Sequence, residues 1–84
     1  VGAKAANELL NIVGVKASFV LTELNERIYI SARSIDEVNV QIIMEKLGGG
    51  GHQTVAGAQL DCELEDAVKL LRRTLADMIG EGEI

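Results

Sequence analysis

The segment Gly48-Gly49-Gly50-Gly51-His52 departs from what packing alone requires. One glycine is enough to end a helix, whereas each further glycine adds a large backbone entropy cost on folding. Bare backbone lets a ligand approach closely, and successive N–H groups can form a nest for an anion. His52 then adds a side-chain donor for a phosphate oxygen. The competing reading is a flexible connector beside a solvated histidine. Order along the chain excludes two familiar glycine loops. A Walker loop needs Gly-Lys-Ser/Thr ahead of a helix, and the dinucleotide fingerprint needs a strand before it and a helix after it. Here the pattern predicts a helix before the glycines and a strand after them. The negative end of that helix faces the loop, so cationic side chains must supply the attraction. Arg33, at the end of a predicted strand, is best placed; taken alone it reads as a solvated strand-end charge.

Other reactive side chains carry less. Cys62 is the only cysteine, which excludes an internal disulfide and any multi-cysteine zinc site. Nothing near it in sequence suggests an activated thiolate. His52 is the only histidine, so a self-contained His-rich metal centre is not expected, and no metal ligand is assigned in this chain. Glu63, Glu65 and Asp66 read as the acidic first turn of a helix. Asn39 reads first as a helix N-cap.

The elements that must hold these residues follow from hydrophobic spacing. Ala5, Ala6, Leu9 and Val13 recur at helical intervals, which predicts a first helix over Ala3–Ile12. Residues 15–24 alternate, with Val15, Ala17, Phe19 and Leu21 on one face. Residues 27–33 alternate again, with Ile28, Ile30 and Ala32 inward and Arg27, Tyr29, Ser31 and Arg33 outward. Asn25-Glu26 between them is a hairpin turn, lacking the glycine that a type I′ turn prefers at its second position. Val40, Ile43, Met44 and Leu47 form one face of a second helix, stopped by Gly48. Val55–Asp61 is a short strand in which Gly57 marks close backbone approach. A last helix spans about Glu63 to Ile79 with Leu64, Ala67, Val68, Leu71, Leu75 and Met78 buried, followed by a frayed end at residues 80–84. The order α-β-β-α-β-α predicts an α+β fold, an antiparallel hairpin plus at least one further strand packed by helices.

Composition narrows the function. Eighty-four residues suffice for one small domain. Eight basic against thirteen acidic residues leave a net charge of −5, which argues against a nucleic-acid module held by a broad basic face. No Trp, one Phe and one Tyr leave almost no platform for stacking single-stranded bases. No apolar run is long enough to span a bilayer, and the pattern at the start of the chain is not the one expected of a signal peptide. The chain opens at Val1 and enters patterned sequence at once, so it is expected to be a piece cut from a longer protein, with residues 1–84 forming one domain.

The stretch Ser31-Ala32-Arg33-Ser34, then Asn39-Val40-Gln41, Ile43-Met44-Glu45, Leu47 and Gly48 to His52 resembles a known family. It is similar to the DHH-associated C-terminal domain of DHH-type phosphodiesterases, and within that group to the GdpP-type cyclic-di-AMP phosphodiesterases. The resemblance covers nearly the whole chain, including Ala17-Ser18-Phe19-Val20. It implies a substrate-binding domain facing a DHH catalytic domain of the same chain. That catalytic domain carries two divalent metals, usually manganese, and opens cyclic di-AMP to pApA. Carried over by position, Gly48, Gly49, Gly50, Gly51 and His52 contact a substrate phosphate or nucleoside, with Arg33 and Ser34 beside them and Asn39 fixing the connecting segment. The resemblance places no catalytic residue and no metal ligand in these 84 residues, so the piece alone is not expected to catalyse a reaction. The same domain type serves oligoribonucleases and pAp phosphatases, which act on short linear nucleotides and oligonucleotides, and a related one binds RNA in alanyl-tRNA synthetases. The resemblance further implies a cytoplasmic domain of a signalling hydrolase whose parent is anchored to the bacterial membrane, and it leaves room for a homodimer.

Overall fold

Alternating apolar residues build the centre of the molecule, for which the computed structural model describes residues 6–11, 16–36 and 38–83. Strand β1 is Ala6–Asn11, β2 is Ala17–Leu24 and β3 is Arg27–Ser34. Helix α1, Val40–Lys46, follows, then β4, Gly50–Gly51, β5, Val55–Leu60, and helix α2, Leu64–Gly80. The five strands form one antiparallel sheet in the order β1-β2-β3-β5-β4. The α+β class therefore holds, and the hairpin, both later helices and β5 lie where the spacing puts them.

The first helix does not form. Ala6–Asn11, within the expected helix Ala3–Ile12, is strand β1, paired with β2 from Ala6 opposite Glu23 to Asn11 opposite Ser18. A ten-residue helix is marginal by itself, while an unpaired β2 edge leaves a row of backbone donors and acceptors without partners. Pairing satisfies that edge, and the sheet outweighs the local periodicity. Residues 3–5 and 12–15, with Ile12, Val13 and Val15, lie outside the described residues.

The hairpin turn takes the geometry its sequence resists. Asn25 and Glu26 both have positive φ, 52° and 62°, as a type I′ turn demands. Inward residues of β2, β3 and β5, among them Phe19, Leu21, Ile28, Ile30, Ala56 and Ala58, meet the buried faces of both helices in one core. The small alanines of β5 let α1 lie close, and Gly57 does pass close to β3: a Cβ there would stand 2.8 Å from the Ile30 carbonyl oxygen. The opposite sheet face, with Ser31, Arg33, Val55 and Gln59, is exposed.

Both helices end alike. Gly48 and Gly82 have φ of 88° and 75°. At α1, Gly49 N–H donates to Met44 O at 2.8 Å and Gly48 N–H to Glu45 O at 3.1 Å. At α2, Glu83 N–H donates to Met78 O at 2.9 Å and Gly82 N–H to Ile79 O at 3.1 Å. These are Schellman closures with glycine at C′. Residues 80–83 are thus an ordered cap, not the frayed end that the sequence suggests, and Lys46 reaches Glu83 at 3.3 Å; Ile84 lies outside the described residues.

Candidate functional site

The four glycines divide by what a side chain would meet. Gly48 is fixed by its positive φ at the helix end. A Cβ on Gly49 would lie 2.7 Å from Ala58 Cα and inside contact with the Gly57 carbonyl oxygen. Gly51 combines φ 146° with a Cβ position 2.5 Å from Ala56 Cα. These three are glycine because backbone geometry and the approach to β5 demand it. Gly50 is different: its φ is not in the left-handed range, and a Cβ would have nothing within 4 Å. Backbone conformation or packing explains the other three and leaves this one unexplained.

The loop is not an open nest of N–H groups. The N–H groups of Gly48 and Gly49 cap α1, and His52 N–H donates to Val55 O at 2.8 Å. Antiparallel alternation then turns Gly50 toward its partner Gly57 and leaves the Gly51 N–H pointing out from the sheet edge. Nor is the loop a slack connector, since β4 is hydrogen-bonded into the sheet. What it offers a ligand is a side-chain-free stretch at Gly50 and an exposed imidazole at His52.

Register brings Arg33 to the same face. Gly50 pairs with Gly57, and Gly57 with Ser31, in one row across the sheet; Arg33 pairs with Val55 one row further along. From strand spacing and rise, Gly50 and Arg33 lie about 12 Å apart at Cα, a gap that a long side chain and a phosphodiester can bridge. Arg33 is exposed, and among the described residues its guanidinium has no carboxylate partner. By contrast, Lys16 pairs with Asp36 at 3.4 Å and Arg27 with Asp61 at 2.9 Å. Asp61, by hydrogen bond and charge, raises the Arg27 pKa further.

Beside this face, a cleft of about 240 Å³ is lined by Ser34, Ile35, Asp36, Val38, Asn39, Gln53 and Thr54. Two backbone bonds hold its walls together: Ser34 N–H to Thr54 O at 2.9 Å and Val40 N–H to Gln53 O at 3.0 Å. Ser34 spends its hydroxyl proton on the Asp36 carbonyl. Asn39 caps α1, its Oδ1 accepting from Gln41 N–H at 3.0 Å and Ile42 N–H at 3.4 Å. The structure thus gathers Arg33, Ser34, Asn39, Gly50 and His52 at one end of the sheet. Gln53 and Thr54 escaped the sequence reading; their signal was their position, polar residues immediately after His52 in the same turn.

A family model for the DHHA1 domain matches residues 2–77. The chain belongs to the DHHA1 domain family. It is 49% identical over 85 residues to the cyclic-di-AMP phosphodiesterase PdeA of Listeria monocytogenes, covering 99% of this chain and 13% of that protein. It is 47% identical over 83 residues to the cyclic-di-AMP phosphodiesterase GdpP of Geobacillus thermodenitrificans, covering 96% and 13%. A membrane protein–large ribosomal subunit bL9 fusion protein of Aster yellows witches'-broom phytoplasma is 47% identical over 60 residues, covering 70% and 7%. The chain spans about an eighth of the length of the two phosphodiesterases.

This DHHA1 domain has no donor set for a divalent metal among its described residues: no three His, Cys, Asp or Glu side chains gather. Cys62 is half-buried against the core, and burial, with Asp66, Asp61 and Glu63 nearby, raises its pKa. That is the opposite of an activated or metal-binding thiolate. What the site can do is bind: one unpaired guanidinium, one exposed imidazole, a bare strand and a firm polar cleft.

Proposed function

We propose that this DHHA1 domain holds the substrate of a cyclic-di-AMP phosphodiesterase against a DHH catalytic domain of the same chain. The two phosphodiesterase relatives support the substrate, and Gly50 carries the argument from structure. It is the one loop glycine that neither packing nor a left-handed backbone requires, and it lies on the face that Arg33 shares. A phosphodiester resting over Gly50 meets no side chain there and can be held by Arg33 and His52. A few charge-assisted contacts suffice, which reconciles a −5 chain with a dianionic ligand. Divalent metals, manganese by preference, supply the activated water from the catalytic domain. This chain's own residues bind and orient the phosphate and keep the ring in place.

No helix among the described residues is long and apolar enough to cross a membrane. Anchoring of the parent, with this domain in the cytoplasm, therefore falls to segments outside it.

The test is His52→Ala in the parent enzyme. A lost donor to developing phosphate charge lowers kcat/KM on cyclic di-AMP by about 10²-fold, with bound metal unchanged. Loss of metal in that variant places His52 in the metal centre, and an unchanged kcat/KM removes it from the substrate; either result overturns the reading.

A further inference from the structure

Strand β1 carries residue types that argue against its own conformation. Its sequence, Ala-Asn-Glu-Leu-Leu-Asn, has no β-branched or aromatic residue, and Ala, Asn and Glu are types depleted in strands. Its partner β2 holds Phe19, Val20 and Thr22, and β3 holds Ile28, Tyr29 and Ile30. Strand β5 is also poor in such residues, but it lies between β3 and β4 and is paired on both sides. β1 stands at the end of the sheet order, where β2 holds it from one side. Ala, Leu and Glu rank instead among the good helix formers. The apolar residues in and around β1 fall at positions 5, 6, 9 and 13, a helical spacing. Local preference and tertiary pairing therefore disagree at this edge.

β2 has other supports. It pairs with β3 along its whole length, from Ala17 opposite Ser34 to Leu24 opposite Arg27. On the core side Phe19 and Leu21 are fully buried, in one cluster with Leu71, Leu75 and Met78 of α2. Release of β1 breaks the backbone bonds of one edge and returns conformational freedom to six residues, while β2 keeps β3 and α2. From these observations we infer that Ala6–Asn11 is a conformational switch. In one state it is the edge strand; in the other it is released from β2 and helical, with the rest of the domain unchanged. A helix of this length is marginal by itself, so the strand is the more populated state and a small bias moves the balance. What the switch controls is the edge of β2. Paired, β1 covers the backbone from Ser18 to Glu23; released, it leaves those donors and acceptors open to another extended strand.

The experiment is NMR hydrogen exchange and carbon relaxation dispersion on the 84-residue chain and two variants. In the wild type, the β1 amides bonded to β2 exchange at least about tenfold faster than the bonded amides of β3 and β5, at a rate that low urea leaves unchanged, the mark of local opening. Asn7→Ala combined with Asn11→Ala raises helix preference at two positions and speeds β1 exchange about fivefold. Relaxation dispersion in that variant reads the minor state, whose Cα shifts for Ala6–Asn11 lie at helical values. Asn7→Thr, opposite Thr22, favours the strand and slows β1 exchange about fivefold. In all three proteins β3 and β5 keep their protection, which separates the switch from global unfolding. β1 amides as protected as those of β3 in the wild type overturn the inference. Minor-state Cα shifts at random-coil values also overturn it, because the released segment is then a frayed strand and not a helix.

Discussion

Replacing Gly50 by valine separates a ligand-facing glycine from a structural one. A Cβ at Gly50 meets nothing within 4 Å, and the residue lies in strand β4, where a β-branched side chain is at home. Removing a glycine from an unstrained position also restricts the unfolded chain, a gain of about 0.4–1 kcal/mol. Gly50→Val therefore leaves urea stability equal to wild type or slightly higher. Gly49→Ala is the control in the opposite direction. Its Cβ would stand 2.7 Å from Ala58 Cα, backbone that cannot swing aside, and overpacking of this kind costs about 1–3 kcal/mol. On ligand the order reverses. The valine branches occupy the space over β4, and losing charge-assisted contacts worth about 1.5–3 kcal/mol lowers kcat/KM on cyclic di-AMP by about 10- to 100-fold in the parent enzyme. The assays are urea unfolding and steady-state hydrolysis on the same two variants. Wild-type turnover by a folded Gly50→Val protein refutes the placement of substrate over this strand. Destabilisation of Gly50→Val matching that of Gly49→Ala refutes the claim that packing leaves Gly50 free.

Three other perturbations check the framework that holds the site. Asn39→Ala removes the acceptor for Gln41 and Ile42 N–H and lowers stability by about 1 kcal/mol, read as a shift in the urea midpoint at constant slope. Glu26→Gly relieves a left-handed residue at φ 62° and raises stability by roughly 1 kcal/mol, visible in thermal unfolding; a drop instead denies the type I′ strain. The Cys62 thiol, pushed up by burial and then by Asp66, Asp61 and Glu63, alkylates more slowly at pH 8 than a free cysteine and catches up only above the ordinary thiol range near 8.5. Because the folded value is the higher one, any stability tied to this group is complete below the unfolded thiol pKa and is lost as pH rises through the folded one.

Local patterns settle the hairpin, β5 and the two later helices before any tertiary contact is considered. The alternation of residues 17–24 and 27–33 has only one way to bury Phe19, Leu21, Ile28 and Ile30 together, and a register slip would expose them all. Asn39 and Gly48 delimit α1 because capping chemistry acts over one turn. The resemblance carried by Ser31–Ser34, Asn39–Gln41 and Gly48–His52 reached the family that the DHHA1 match establishes. Tertiary structure decided the rest. Ala6–Asn11 is a strand because β2 has an edge to satisfy, a long-range demand that ten residues of helical spacing cannot reveal. Four identical glycines look alike in one dimension. Only the approach of β5 shows that Gly49 and Gly51 are needed for backbone clearance while Gly50 is not. The cleft, too, is made by Ser34 and Val40 bonding to Thr54 and Gln53 across a gap in sequence. No spacing rule joins those segments; the sheet order β3-β5-β4 does.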